Sequence, residues 1–308
     1  MAAPASSAIR VRAFAKVNLG LKIVGKRPDG FHEIRTIYQT LALHDLVEIS
    51  VHRHGNAIEL ECSDSSIPAG KGNLVYRASE HWRQARGFRG SIAIRLSKQI
   101  PAGSGLGGAS TDAAATLLGL ERLTGDRLTL AERSRLAAQL GSDVPFFLLG
   151  GRGFGIGRGE EVYPLADLPR RHCLIVFPGF GVSTAVAYTQ AGQVLKRELT
   201  KRAHFPNIYG FGAWPQFPLK SWGPAENDFE QVIFARWPEL ARCKRQLIRA
   251  GAEAASLTGS GSAVFGLFDS VRKLTRALGS IPRGWQMFRT RTLGRSEYQR
   301  LLFESRDE

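Results

Sequence analysis

The chain reads as an α+β protein of two domains, split near residue 165 into segments 1–165 and 166–308. Three observations predict this. Strand-like stretches crowd the first hundred residues. A glycine-rich loop at 101–108 then opens a run of helix-like segments. The second half mixes both patterns again, and 308 residues suffice for one large or two medium cores.

Residues 9–15, 17–24, 45–51 and 57–62 carry alternating or continuous apolar runs with β-branched residues, which predict strands. Residues 73–86 predict a helix and 90–96 a strand, where Ile92, Ile94 and Leu96 alternate with Ser91, Ala93 and Arg95. A helix is expected over 110–123, with Ser110, Thr111 and Asp112 in its first turn, and another over 130–140. Further on, 172–177 predicts a strand and 183–194 a helix. Residues 200–225 are rich in Gly, Pro and Trp and predict a long loop. Helices follow at 227–237 and 238–250, then strands at 255–258 and 263–268 around Gly259-Ser260-Gly261. A helix and a last strand near 285–292 complete the pattern. The chain has no internal repeat and no low-complexity segment.

Hydrophobic residues make up 43% and charged residues 22%, as in an ordinary globular chain. No apolar run reaches about eighteen residues, which excludes a membrane-spanning helix from the expectations. The first ten residues lack the apolar core of a signal peptide. Cys62, Cys173 and Cys243 are isolated, which argues against a disulfide framework and a zinc site and points to a reducing cytoplasm. The net charge is +15 and the pI about 10.3. Such a field draws nucleic acid, acidic lipid or phosphorylated small molecules, and charge alone does not choose among them. The densest basic stretch, 196–202, contains Glu198 and reads as a solvated surface segment.

The strongest local signal is Pro101-Ala102-Gly103-Ser104-Gly105-Leu106-Gly107-Gly108-Ala109-Ser110-Thr111-Asp112. Glycines let backbone N–H groups converge on an anion, and a helix N-terminus behind them adds unpaired donors and a favourable dipole. Strand, glycine loop and helix together make a phosphate cradle; the plainer reading is a flexible turn. Gly103, Gly105 and Gly108 formally satisfy G-x-G-x-x-G. A dinucleotide fold would then need a strand ending in an acid, and Thr124-Gly125-Asp126-Arg127 leads into a helix instead. The P-loop near-match Gly20-x-x-x-x-Gly25-Lys26 continues with Arg27 rather than Ser or Thr. His32-Glu33 has Thr at position 36, so it does not start a zinc-protease motif.

The loop stands in an ordered set of segments. Ala15-Lys16-Val17-Asn18-Leu19 and Arg27-Pro28-Asp29-Gly30-Phe31-His32 precede it. Gly141-Ser142-Asp143-Val144-Pro145, Gly157-Arg158-Gly159-Glu160, Asn227-Asp228-Phe229-Glu230 and Thr258-Gly259-Ser260-Gly261-Ser262 follow. This order resembles the GHMP kinase superfamily from about residue 10 to about 295. Within it, the Lys-x-Asn, Gly-aromatic-His and Gly-x-Asp-Val-Pro segments are similar to the member that phosphorylates a cytidine diphosphate-linked alcohol in the non-mevalonate route to isoprenoid precursors.

The resemblance implies a GHMP kinase fold, with an N-terminal left-handed βαβ domain and a C-terminal ferredoxin-like domain. It implies transfer of the ATP γ-phosphate, with Mg²⁺, to a hydroxyl. Asp143 is similar to the family's catalytic base and Lys16 to its charge-stabilising lysine; read alone, Asp143 could equally cap a helix and Lys16 could be an exposed strand lysine. The cradle residues Pro101 to Thr111 would hold the ATP phosphates, Ser110 or Thr111 could touch the metal, and Asp112 could instead cap the helix. Ala109 stands where glycine is common and cannot take positive φ cheaply. Asn73 and Lys98 resemble positions near adenine. Phe31 and His32 are similar to the pair that reads cytosine, Tyr188 to a second stacking ring, and Asn18 to a residue that orients the acceptor or Lys16. Gly259 and Ser260 would close over the substrate or form a tight turn. No metal ligand is assigned. The expected partner is a small molecule, not nucleic acid or a membrane, for a monomer or weak homodimer. A kinase for homoserine or mevalonate is the neighbouring alternative. A basic RNA-binding α+β protein is the alternative of another class, and neither an RNP-like nor a Gly-x-x-Gly clamp signature supports it.

Overall fold

A computed structural model describes residues 7–52, 54–199 and 225–304, with the side chains of 7 and of 192 to 199 excepted. Its elements run in the order β1 (Ser7–Lys26), β2 (His32–His52), β3 (Ile58–Cys62), α1 (Leu74–Arg86), β4 (Ser91–Ser97), α2 (Gly108–Thr124), α3 (Leu130–Leu140) and α4 (Val144–Leu149). Then follow β5 (Arg152–Ile156), β6 (Glu161–Pro164), β7 (His172–Phe177), α5 (Thr184–Leu199), β8 (Glu226–Asn227), α6 (Glu230–Arg236) and α7 (Pro238–Arg249). The last are β9 (Ala254–Leu257), β10 (Val264–Phe268), α8 (Val271–Leu278), β11 (Gln286–Arg291) and α9 (Arg295–Leu301). The predicted loop at 200–225 lies outside the described residues except for its last position.

Two sheets organise the chain. The first runs β3-β4-β2-β1-β8, with β5 also on β2 and β6 on β5. β3 and β4 are parallel and joined through α1, a βαβ crossover. The second has the order β11-β7-β10-β9 with antiparallel pairs. That is the strand order of a ferredoxin-like β-α-β-β-α-β unit.

Alternation along the strands explains how the sheets pack. In β7, Leu174 and Val176 meet the helices of the second half, while Cys173, Ile175 and Phe177 turn to the first sheet. In β10, Phe265 and Leu267 do the same. They meet Ala15, Val17, Leu19, Ile37 and Leu41, so one apolar layer welds the sheets together. Strands buried on both faces read as continuous apolar runs, which is why 172–177 was legible. A separate core lies under α1 to α4, with Trp82, Leu117, Leu120 and Phe146 against Val47, Ile49 and Ile94.

Some elements differ from expectation. The two strands predicted at 9–15 and 17–24 are one strand, with register shifts after Phe14 and after Asn18. Those irregularities leave Lys16 and Asn18 on the face opposite the apolar layer. α2 begins at Gly108, not Ser110, because Gly107 at φ 79° turns the chain directly into the helix. Asp112 therefore sits inside the helix and caps nothing. Ala109 is helical and no non-glycine residue among the described residues has positive φ, so the missing glycine leaves the backbone undistorted. Residues 226–227 form a short strand parallel to β1, and the helix expected from 227 begins at Glu230.

The chain's end returns to its beginning. Leu293, Tyr298 and Leu302 join the first core, and Arg12 N donates to Leu302 O at 2.8 Å. Gly151, at φ +71°, abuts the start of α9: a Cβ there would lie 2.7 Å from Arg295 N. Gly151→Ala is expected to cost about 2 kcal/mol or more, from the left-handed backbone and the backbone clash together. Urea unfolding of the two proteins, read as midpoint at unchanged m-value, checks this.

Candidate active site

A cleft of about 550 Å³ opens between the sheets, walled by the glycine loop, Lys16, Asn18, Asp143 and the Gly259-Ser260 turn. The glycine loop is pinned on both sides. Lys16 N donates to Leu106 O at 2.9 Å, and Ala263 N to Ser104 O at 3.1 Å. Gly103, Gly105 and Gly107 all have positive φ, between 68° and 81°. A Cβ on Gly105 would overlap Thr258 O, and one on Gly107 would lie 2.7 Å from Phe147. Glycine is thus required both by conformation and by close packing. The first backbone bond of α2 is from Thr111 N to Gly107 O, so the N–H groups of Gly108, Ala109 and Ser110 have no intrahelical acceptor. Unpaired donors at a helix N-terminus facing a cleft suit a phosphate.

Lys16 and Asp143 meet there. Lys16 Nζ lies 3.1 Å from Asp143 Oδ2 and donates to Asn18 Oδ1 at 2.8 Å. The lysine side chain is 3% exposed and the aspartate 28%. Asp143 stands at the N-cap position of α4, yet its side chain makes no capping bond. Its other oxygen accepts from Tyr38 Oη at 2.9 Å. Tyr38 is fully buried against Phe146, and burial pushes its phenol well above the ordinary tyrosine range, with Asp143 adding to the effect. It therefore stays a donor at every working pH. No local pattern marks Tyr38: its partner is 105 positions away.

Asn18 is a junction. Its Oδ1 also accepts from Gly259 N at 2.9 Å, and its Nδ2 donates to Thr36 Oγ1 at 2.7 Å. Thr258 Oγ1 accepts from Asn18 N at 3.3 Å and donates to Gly105 O at 3.1 Å. Ser260 Oγ pairs with Thr184 Oγ1 at 3.0 Å. Asn227 Nδ2 holds the same turn through Gly259 O at 2.8 Å.

Several expected residues have other occupations. Asn73 lines the cleft, but its Oδ1 caps α1 at Val75 N and its Nδ2 donates to Pro68 O, each at 2.9 Å. Lys98 also borders the cleft, but it is a buried cation between Asp45 and Asp112, with the second pair at 2.6 Å. Asp45 further accepts from Ile100 N at 2.8 Å. Two carboxylates share one lysine, and burial holds the Asp112 carboxyl well above its usual range. Thr111 is buried outside the cleft wall, whereas Ser110 is part of it. Phe31 is 53% exposed and lies outside the wall; the Arg158 guanidinium covers its ring at 4.8 Å. His32 and Tyr188 stack on each other, 5.1 Å apart and 19° from parallel, so no third ring fits between them. Burial, with the Lys26 charge, lowers the His32 pKa, and the ring is neutral at pH 7.

The family-model comparison matches residues 73–151 to the GHMP kinases N terminal domain and 219–282 to the GHMP kinases C terminal. A 4-diphosphocytidyl-2-C-methyl-D-erythritol kinase of Solibacter usitatus is 47% identical over 87% of this chain and 84% of its own length. The chain belongs to the 4-diphosphocytidyl-2-C-methyl-D-erythritol kinase family of GHMP kinases. The kinase of that name from Moorella thermoacetica is 42% identical over 83% of this chain and 88% of its own. A crystal structure of 4-(cytidine 5'-diphospho)-2C-methyl-D-erythritol kinase superposes at TM-score 0.72 with 32% identity, covering 92% of this chain and 99% of that one. A homoserine kinase from Cytophaga hutchinsonii shares the fold at TM-score 0.70 and 20% identity, over 97% and 98% of the two chains. The fold is therefore common to the superfamily, and sequence identity separates the branch.

The Lys98 cluster sits directly under the cradle: a Cβ on Gly108 would lie 3.3 Å from Lys98 Nζ. Lys98→Met would leave two buried carboxylates without a cation, at a cost of about 3–5 kcal/mol. The Asp112 carboxyl, which burial already holds well above its usual range, would lose the lysine charge that opposes the rise. Its protonation relieves the cost at low pH, so denaturant unfolding is expected to show a larger deficit at pH 8 than at pH 5.

Proposed function

We infer that this chain transfers the γ-phosphoryl group of ATP to a hydroxyl of 4-diphosphocytidyl-2-C-methyl-D-erythritol, a step toward isoprenoid precursors. The pairing of Lys16 with an uncapped Asp143 beside a glycine cradle carries the reading. The cradle would hold the triphosphate. Asp143 would accept the proton of the attacking hydroxyl while a bond forms from that oxygen to the γ-phosphorus and the bond to the leaving ADP oxygen breaks. Each carboxylate oxygen has two acceptor sites, so one bond each to Lys16 and Tyr38 leaves room for the substrate. Lys16 has three donors; with two on Asn18 and Asp143, the third is free for the transferring group.

The wall offers the hydroxyls of Ser110 and Ser142 beside the Asp143 carboxylate; its other carboxylate, Asp112, is held by Lys98. Among the described residues no cluster of three or more acidic, His or Cys side chains forms. This donor set fits Mg²⁺ that arrives with the nucleotide and keeps its waters, with Ser110 as the residue to hold it. The ion would supply positive charge to offset that of the phosphates. At the acceptor end, Arg158, Tyr188 and His32 supply planar and cationic surfaces that suit a cytidine diphosphate. Phe31 would have to move from over Arg158 to stack on the base. Cys62, Cys173 and Cys243 are free thiols, which supports a reducing, cytoplasmic setting. No helix of the described residues is long and apolar enough to cross a membrane.

ADP release with ATP, Mg²⁺ and this acceptor is expected from the wild type. Asp143→Asn and Lys16→Ala are each expected to lose about 10²–10⁴-fold in kcat while remaining folded. Turnover with homoserine or mevalonate but not with the cytidine diphosphate-linked alcohol would overturn the acceptor assignment.

Tyr38→Phe removes a donor that fixes the Asp143 carboxylate. In the folded variant kcat is expected to fall about tenfold with little change in KM, since an orienting bond to a charged group is worth about 1.5 kcal/mol. An unchanged kcat would show that the phenol only packs.

A further inference from the structure

The segment Asn227-Asp228-Phe229-Glu230 ties together the two stretches that hold Lys16. β8 runs parallel to β1, with Leu21 opposite Asn227, and joins it just past the register shift between Asn18 and Gly20. Asp228 N donates to Leu21 O at 3.0 Å, and Asp228 Oδ2 accepts from Ile23 N at 2.8 Å. Its other oxygen lies 3.1 Å from Lys22 Nζ. On the far side, Glu230 Oε1 accepts from Leu257 N at 3.0 Å and from Ser256 Oγ at 2.7 Å. The segment therefore clamps β1 to β9, beside the turn that carries Gly259.

Asn227 is the centre of this clamp. It is 5% exposed and lies outside the cleft wall. Its Nδ2 donates to Leu257 O at 2.9 Å and to Gly259 O at 2.8 Å, and its Oδ1 accepts from Phe229 N at 3.0 Å. Both amide hydrogens and the amide oxygen are used, which fixes the way the amide points; an aspartate would set an acceptor against two carbonyls. Those carbonyls flank the Thr258–Gly259 peptide. The N–H of that peptide, on Gly259, donates to Asn18 Oδ1 at 2.9 Å, and the same oxygen accepts from Lys16 Nζ at 2.8 Å. Three hydrogen bonds in series thus join Asn227 to the lysine ammonium, through Gly259 and Asn18. Thr258 of the same turn also reaches Gly105 O, but the cradle has two further anchors, Lys16 N on Leu106 O and Ala263 N on Ser104 O. Loosening the turn therefore disturbs Lys16 more than the phosphate cradle.

We propose that Asn227 is a positioning residue for phosphoryl transfer, which holds Lys16 on the transferring group by way of Gly259 and Asn18; this role rests on the transfer reading above and adds to it a residue outside the cleft wall. A small displacement of a charge-stabilising group lowers kcat steeply, while ground-state binding of the nucleotide is left nearly intact.

The test compares the full-length wild type with Asn227→Ala, Asn18→Ala, the double variant and Gly151→Ala, each well below its unfolding midpoint, with ATP, Mg²⁺ and the cytidine diphosphate-linked acceptor. Asn227→Ala is expected to lose about tenfold or more in kcat, with KM for ATP changed less than about twofold. Gly151→Ala, destabilised outside the cleft wall, should keep the wild-type kcat, which separates positioning from lost stability. In the Asn18→Ala background, adding Asn227→Ala should cost less than about threefold further, because the series of bonds is already broken. Hydrogen exchange at the Gly259 amide should speed up at least about tenfold in Asn227→Ala and stay unchanged in Gly151→Ala. Where Asn227→Ala is too unstable to assay, Asn227→Ser, whose shorter side chain has one donor for the two carbonyls, is expected to show the same pattern. A wild-type kcat in the folded Asn227 variant, an equal loss in Gly151→Ala, losses that multiply in full in the double variant, or unchanged exchange at Gly259 each overturns the proposal. Any of these beside an active wild type overturns it alone, whereas an inactive wild type overturns the transfer reading and the proposal together.

Discussion

The site hangs on a lysine ammonium held out of water. Lys16 is 2% exposed, and a buried cation without acceptors is costly. Its acceptors are Asp143 and Asn18, and Asn18 is itself buried and bonded to Gly259 N and Thr36. Loosening any of these leaves a buried donor or acceptor unmet, which costs more than the bond contributes when made. Thr258 extends the tie to Gly105. Three stretches far apart in the chain, around residues 16–18, 105 and 258–259, are thereby fixed to one another by one polar cluster. The apolar layer between the sheets supplies the bulk of cohesion, but it is non-directional; the cluster sets where the cradle stands relative to Lys16.

That arrangement changes the meaning of the basic composition. A net charge of +15 suggests a cleft bristling with cations. Instead, each cation at the cleft wall is matched: Lys16 by Asp143, Lys98 by Asp45 and Asp112, Arg158 by Glu160 at 3.2 Å. The cradle itself offers neutral N–H groups and a helix end. Its attraction for phosphate is therefore short-ranged and geometric, and the surplus charge lies elsewhere on the surface, where it acts as a steering field. Arg289, exposed and without an ion pair among the described residues, is one such charge.

What was legible in the sequence follows from the range of the forces involved. The glycine loop was legible because positive φ admits little but glycine, and the requirement is satisfied within six residues. The strand at 172–177 and the helix at 130–140 were legible from continuous and periodic apolar patterns. Lys16 and Asp143 stood out by resemblance rather than by pattern. Tyr38 did not, since residues 32–44 were not read as strand, and its bond to Asp143 has no local signature. Lys98 resembled a nucleotide neighbour, because nothing near it reveals Asp45, 53 positions earlier. The same blindness hid the mutual stacking of His32 and Tyr188 and the return of α9 to the first core. Long-range pairing takes the Asp143 side chain to Lys16 and Tyr38 rather than to a cap of α4, and that information is in no window of the chain.

The two ends of the cleft also differ in what they can discriminate. Backbone N–H groups at a helix start accept any suitably placed phosphate, because they present no side chain to object. A cradle of this kind cannot set the acceptor. At the other end the wall is the side chains of Arg158, Tyr188 and Phe229, the last two edge to face at 4.8 Å; just outside it Phe31 lies over Arg158 and His32 stacks on Tyr188. Planar rings with polar tips and one paired guanidinium impose shape and hydrogen-bond pattern together. Phe31 has no hydroxyl, so its ring offers stacking area alone, whereas His32 carries ring nitrogens that can make directional contacts. Its ring is kept neutral by burial, so one nitrogen can donate and the other accept. A cytosine edge offers both a donor and acceptors, and a neutral imidazole matches it where an imidazolium would not.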